Sequence, residues 1–258
     1  MSDGQTSRIQ AQFGASAAAY VTSAGHASGE DLERLVAWGR ALRPGRALDV
    51  ATGAGHTALA FAGLGMRVVA FDVTEAMLRT ARAFVESRGA QRVAFVAGDV
   101  GALPFPDASF HLATCRIAAH HFADPGAAVR QVARVLGPGG SFLLQDILGH
   151  DDPEASRFIT EVERRRDPTH VRAYRATEWK AFLRGAGLTL MDDAIVPKIR
   201  PWEEWTTRSR MAPEAKRDLE RFILAAPAAC RDAFDFRLDG ERIESFTDRM
   251  LLLRAEKD

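Results

Sequence analysis

Leu48, Asp49, Val50, Ala51, Thr52, Gly53, Ala54, Gly55 and His56 form a stretch whose residue types suit ligand binding. Gly53 and Gly55 lack a Cβ, so a ligand can press against the backbone there. A helix beginning just after them would offer free N–H groups to a carboxylate or phosphate. Gly53, Gly55 and Ala58 also satisfy the dinucleotide pattern G-x-G-x-x-G/A, and Asp72 lies near the distance expected for an acid that binds ribose. Asp49 argues against a pyrophosphate, which its carboxylate would repel, and for a cationic ligand such as a sulfonium amino acid. A tight turn with no ligand is the plain alternative.

A second cluster lies at Arg116, Ile117, Ala118, Ala119, His120, His121 and Phe122. It follows a strand-like run, where open α/β sheets bind their ligands. A histidine titrates near 6.5 and can take a proton from a hydroxyl, amine or activated carbon at neutral pH. His121 is the favoured base and His120 the second choice; neighbouring side chains are expected to diverge, so that one acts and the other is a control. Capping and loop packing are the alternatives for both. No metal is expected, because no H-x-x-x-H pair occurs and the nearby acids have other uses.

Something must hold these groups in place. Residues 47–51, 67–71, 93–96, 110–115 and 141–145 read as strands, separated by helical patterns at 56–64, from a Thr74 cap through Ser87, and 125–136. That alternation implies right-handed crossovers and a parallel sheet. Ahead of it, Phe13, Ala17 and Tyr20 suggest a short helix followed by a small-residue loop. Ser28 with Asp31 opens a further helix, closed by Pro44 and Gly45. Beyond 146 come a charged helix at 153–166, a helix at 177–185, a strand at 188–196, a Trp-bearing segment after Pro201, a helix at 213–226, a turn at Asp239 and Gly240, and an apolar run at 250–253.

The chain has 258 residues, 47% hydrophobic and 26% charged, which excludes a disordered, collagen-like or coiled-coil chain. Its 34 basic and 34 acidic residues cancel, so no overall field draws it to nucleic acid or an anionic membrane. Cys115 and Cys230 make neither a zinc motif nor a disulfide framework, no run approaches membrane-spanning length, and the first residues lack a signal core. A cytoplasmic protein is expected.

Four segments resemble the class I S-adenosylmethionine-dependent methyltransferases, in the small-molecule branch of the ubiquinone/menaquinone C-methyltransferases. They are LDVATGAGH at 48–56, VVAFDVTEAML at 68–78, VAGDVGALPFPDASFH at 96–111 and HHFADPGAAVRQVARVLGPGG at 120–140. With the entry helix, the resemblance covers about 13–146. It implies a doubly wound, Rossmann-like, mostly parallel seven-stranded sheet in one domain spanning 1–258. Within it, 1–27 would cover the cofactor, 28–146 would form the cofactor core, and 147–258 would finish the fold, with substrate-cap insertions near 150–176 and 197–240. The implied cofactor is S-adenosylmethionine, with S-adenosylhomocysteine as product. Asp49, Ala51, Gly53 and Gly55 would hold its methionine part. Asp72 would take the ribose hydroxyls, with Val73 and Met77 beside it. Asp99 would face the adenine amino group between Gly98 and Val100, unless it only makes an Asx turn, and Arg116 would close the site. Many members carry Gly where this chain has Ala51, which implies a slightly looser backbone approach.

Tyr20 and His26 are candidates for the substrate pocket. Arg164, Arg165, Arg166, Asp167 and His170 read as a solvated helix face, and an inward-facing member would indicate an anionic or polar substrate. Trp202 and Trp205 could wall the pocket but more often such residues pack a core. The expected function is methyl transfer to a small metabolite by a monomer or homodimer. The rivals are a cofactor-binding sensor without transfer activity and an NAD-dependent oxidoreductase.

Overall fold

The computed structural model describes residues 3–43 and 45–258; the helix-ending role read for Pro44 lies outside them. Three helices come first: α1 (Asp3–Val21), α2 (Ala24–Ala27) and α3 (Glu30–Arg40). Then β1 (Arg46–Val50), α4 (His56–Gly63), β2 (Arg67–Asp72), α5 (Glu75–Ser87), β3 (Val93–Ala97), β4 (Phe110–Arg116), α6 (Pro125–Val135) and β5 (Leu136–Ile147) alternate. The chain ends with α7 (Pro153–Arg166), α8 (Ala176–Gly185), β6 (Leu188–Pro201), α9 (Trp202–Arg208), α10 (Pro213–Leu224), α11 (Ala228–Asp232), β7 (Arg237–Asp239) and β8 (Arg242–Lys257).

The sheet runs β3-β2-β1-β4-β5-β8-β6. β1 to β5 pair in parallel, and β8 lies antiparallel between β5 and β6. The expected seven strands are this path; the short β7, paired to β8 through the Asp239–Gly240 turn, adds an eighth. β1 sits where the chain's direction of travel across the sheet reverses, which is where open α/β sheets bind ligands.

Period-two alternation sorts the strand residues between two cores. Leu48, Val50, Leu251 and Leu253 face the side covered by α6 and α8, while Ala47, Met250 and Leu252 face the side covered by α3 and α4. Both faces being covered explains the unbroken apolar runs in β1 and in 250–253. A third core joins Phe158 and Val162 of α7 to Trp202 and Trp205 of α9, Ile223 of α10, Cys230 of α11 and Phe246 of β8. These residues fall within 150–176 and 197–240, or, for Phe246, just beyond.

Three local readings change. α1 is 19 residues long rather than short, because it lies on α5 and gains packing that its weak amphipathicity did not announce. α3 begins after Gly29 without a side-chain cap, so Ser28 does not open it. Thr74 precedes α5 but its hydroxyl makes no cap bond; its N–H instead donates to Asp72 Oδ1 at 2.8 Å.

Candidate active site

The carboxyl ends of β1, β2 and β4 open into one cleft whose empty space, mouth included, is about 1200 Å³. After β1 the chain turns tightly: Thr52 N–H donates to Phe71 O at 2.9 Å, and Gly55 N–H to Thr52 O at 3.0 Å. Ala51 (φ +53°), Gly53 (+54°) and Gly55 (+88°) all occupy the left-handed region. Only Ala51 is strained there, by about 1–2 kcal/mol. The departure at that position is therefore torsional strain rather than a looser approach. Strain of this kind concentrates at functional sites, and Ile117 after β4 repeats it at φ +53°. Both line the cleft.

Gly53 lines the cleft, and a Cβ built on it would meet nothing of the protein within 4 Å. Gly55 differs. A Cβ there would lie 3.1 Å from Ala81 and 3.2 Å from Val85, and the residue is not part of the lining. Its missing Cβ serves the turn and the contact of α4 with α5.

Asp72 closes β2, where Oδ2 accepts the Gly53 N–H at 3.0 Å and Oδ1 accepts that of Thr74. Each oxygen retains a lone pair for a further donor. Burial raises its pKa, and the backbone donors counter part of that rise. Val73 and Met77, with Phe71 and Val100, supply apolar wall nearby, and Gly98 also lines the cleft. These residues fit a ribose-bearing aromatic ligand. Asp99 does not line the cleft; its Oδ1 turns back to accept Gly101 N–H at 2.7 Å, the Asx turn weighed as its alternative.

Asp49 lies beneath the loop, 2% exposed. It accepts hydroxyl bonds from Thr52 (2.6 Å) and Thr114 (2.7 Å). Burial pushes its pKa up to about 6, against the pull of those hydroxyls. At neutral pH it remains mostly ionised, an anion at the glycine-loop end of the cleft.

His120 and His121 lie on a one-turn 3₁₀ helix and both line the cleft. Their rings do not diverge: the centroids are 4.1 Å apart. The tight turn keeps both side chains inward, against Phe13 of α1 and the segment at 167–170. The two have different partners. His120 Nδ1 meets Asp146 Oδ1 at 2.6 Å, and its backbone N–H donates to Asp146 Oδ2 at 2.7 Å. Burial pulls the His120 pKa down, but the Asp146 carboxylate outweighs it and the net shift is upward. His121 Nδ1 meets Thr169 Oγ1 at 3.1 Å, while that hydroxyl donates to Asp167 Oδ1 at 2.6 Å. Burial, then repulsion from His120, pushes the His121 pKa down to about 4, so it is neutral at physiological pH.

Arg116 lines the cleft, but its guanidinium is engaged by the protein: Gln145 Oε1 at 2.7 Å, His26 O at 2.9 Å and Asp31 Oδ2 at 3.2 Å. It pins α2, the short helix that carries His26 where a loop was expected, to β4. Asp31, expected only in a helix's first turn, also receives Gln145 Nε2 and Lys198 Nζ, each at 2.6 Å. Tyr20 and His26 both line the cleft, ring centroids 5.1 Å apart. α1 is laced across the cleft by Gln5, which donates to His121 O and Thr169 O, and by Gln10, which donates to Val73 O.

Of the charged run, Arg165 faces solvent and Arg166 turns inward beneath Trp205, its guanidinium 4.8 Å from the ring centroid. His170 is buried rather than solvated, with neither ring nitrogen bonded. Trp202 and Trp205 both pack in the cap core, and Trp205 also lines the cleft. Asp146, Arg200 and Arg208 were missed by sequence reasoning. For Asp146 a signal existed, since Gln145–Asp146 is a polar pair ending an otherwise apolar strand. Arg200 and Arg208 reach the cleft only by tertiary packing. Among the described residues, no group of three or more His, Cys, Asp or Glu is placed to hold a metal ion, and no helix is long and apolar enough to cross a membrane.

Residues 48–144 match the methyltransferase domain family. The uncharacterized methyltransferase YcgJ of Bacillus subtilis is 36% identical over 233 residues, covering 90% of this chain and 92% of its own. A crystal structure of a Bacillus halodurans protein described as a methyltransferase superposes with a TM-score of 0.84 at 39% identity, covering 89% of this chain and 99% of that one. A demethylmenaquinone methyltransferase of Thermus thermophilus is 38% identical over 128 residues, 44% of this chain and 58% of its own.

Proposed function

The chain belongs to the S-adenosylmethionine-dependent methyltransferase family, and from that premise we propose that it methylates a small-molecule metabolite, with His120 as the base. The observation that carries the reading is that His120, held from behind by Asp146, lines the same cleft as the glycine loop and Asp72. Similarity of the cofactor core to a demethylmenaquinone methyltransferase supports a small acceptor. The two free, buried cysteines Cys115 and Cys230 fit a reducing cytoplasm.

S-adenosylmethionine, when bound, supplies an electrophilic methyl group on a sulfonium. Asp72 offers its remaining lone pairs to the ribose hydroxyls, Gly53 leaves room against the backbone, and Asp49 places negative charge at the same end. The protein's work is then alignment and proton removal. Asp146 fixes the Nδ1–H tautomer of His120, which leaves Nε2 as the basic nitrogen of a ring lining the cleft. The sequence reading favours His121; the proposal passes to its neighbour because Asp167 stands 4.0 Å from His121, against 2.6 Å for Asp146 and His120, and His121 is too weak a base near neutral pH.

Calorimetry with S-adenosylhomocysteine, S-adenosylmethionine and NADH, followed by incubation with methyl-labelled cofactor and a metabolite extract, tests the reading. Binding of the first two and a labelled small product are expected. Binding with no transfer to any fraction would make the protein a sensor, and selective binding of NADH would make it an oxidoreductase.

A further inference from the structure

We propose that the methyl acceptor carries a carboxylate, received by Arg208 at the cap side of the cleft. This deepens the methyltransferase reading and rests on it. Arg208 lies on α9, its side chain 8% exposed, and lines the cleft. Its bonds are few and long for a buried guanidinium: Nη1 reaches Ser23 Oγ at 3.3 Å and Glu204 Oε1 at 3.4 Å. Nε is buried and has no partner. A guanidinium carries five donors in a rigid fork that matches a planar carboxylate. With the Tyr20 phenol as a further partner, the Arg208 fork still has Nε awaiting an acceptor that the protein does not supply.

The neighbouring cations are answered from within. Arg200 holds Asp248 at 2.6 Å, and Arg166 holds Glu163 at 3.4 Å. Arg116 and Lys198 share the single carboxylate of Asp31, at 3.2 and 2.6 Å. The acid nearest Arg208, Glu204, is 45% exposed and so largely screened by water. With Asp167, which also lines the cleft and is felt by Arg166, the charges nearly balance, and what the protein leaves unanswered is the fork of Arg208 within a field of several cations. His26 lies in that field: burial first, and then Arg208, Arg116, Arg200 and Lys198, push its pKa well down. Tyr20, whose phenol bonds to Arg208, and Trp205 add aromatic wall. The combination suits an apolar body ending in one anionic group. Arg208, Arg200 and Trp205 all come from the cap side and not from the loops carrying Gly53 and Asp72, which assigns the carboxylate to the acceptor and not to the cofactor.

The test uses the full chain saturated with S-adenosylhomocysteine, titrated with sodium benzoate and with benzamide, its neutral isostere. A charge-assisted pair of bonds should make benzoate bind about tenfold or more tighter than benzamide. Arg208→Gln should abolish the preference and Arg208→Lys should keep part of it, with S-adenosylhomocysteine affinity unchanged in both. Benzoate should also raise the pKa of His26, read from its ring proton shifts. Equal binding of the two probes, or a preference that survives Arg208→Gln in a folded protein, overturns the proposal. So does a loss of S-adenosylhomocysteine affinity in Arg208→Gln, since the anion would then be the cofactor's own carboxylate. If the wild type binds no S-adenosylhomocysteine, the methyltransferase reading fails, and the benzoate–benzamide comparison on the free protein still decides the anion site.

Discussion

One carboxylate holds His120 at two points. Asp146 Oδ1 takes the ring Nδ1 at 2.6 Å and Oδ2 takes the backbone N–H at 2.7 Å, so the side chain's orientation and the turn carrying it are fixed together. The donor atoms come from a turn after β4 and the acceptor from the end of β5, adjacent parallel strands. A buried imidazole held in this way has a set tautomer and a raised basicity.

If His120 is the base, it acts when neutral, so kcat/KM should climb as pH rises through a value above 6.5 and then level off. Asp146→Asn removes the charge that raises this pKa; the climb should move to lower pH and the plateau fall by about 10²-fold or more. His120→Ala should lose about 10²–10⁴ in turnover with cofactor affinity nearly intact, and His121→Ala should lose less. A pH–rate profile for the three variants checks the order, and an unshifted profile in Asp146→Asn would assign the pair to structure alone.

Asp72→Ala should weaken S-adenosylhomocysteine binding by roughly tenfold to several hundredfold, since each charge-assisted bond contributes about 1.5–3 kcal/mol. The same variant frees the Gly53 and Thr74 N–H groups, so some thermal stability should go with it. Calorimetry beside a melting curve separates the two losses. Unchanged affinity would leave Asp72 as a brace for the loop and nothing more.

The two glycines should behave differently. Gly53→Ala adds a Cβ that meets no protein atom but carries the strain of positive φ, so stability should fall by about 1–2 kcal/mol while ligand affinity falls at least as strongly. Gly55→Ala drives a Cβ against α5 and should cost more stability, with affinity following the folded fraction. Equal affinity losses per folded molecule would contradict the division of roles.

Burial raises the Asp49 pKa from 3.8 to about 6, so the folded protein holds this proton more tightly than the unfolded chain does. The resulting penalty on stability is full above about pH 6, on the order of 3 kcal/mol, and lifts as pH falls from 6 toward 3.8. Asp49→Asn should therefore stabilise the free protein at pH 7.5 by about 1–3 kcal/mol. It should also weaken S-adenosylmethionine, a sulfonium, more than uncharged-sulfur S-adenosylhomocysteine. In the wild type the same preference for the sulfonium should fade below pH 6. Equal losses for both ligands would mean that Asp49 only anchors Thr52 and Thr114.

Local sequence determined the strand–helix alternation, the loop between β1 and α4, and the acid closing β2, because each depends on neighbours within a few residues: apolar runs, a missing Cβ, a strand end. The family resemblance rested on those same local features. Tertiary structure alone decided which histidine gains a carboxylate, since Asp146 is 26 residues away and reaches His120 only because β4 and β5 pair. It likewise decided that Gly55 serves packing and Gly53 the cleft, a difference that φ-tolerant spacing cannot reveal. Arg208 is the extreme case. In sequence it is one of the chain's many arginines, closing a short helix, and its meaning comes from a shortage of nearby acceptors that exists only once β6, α1 and α9 have closed around it.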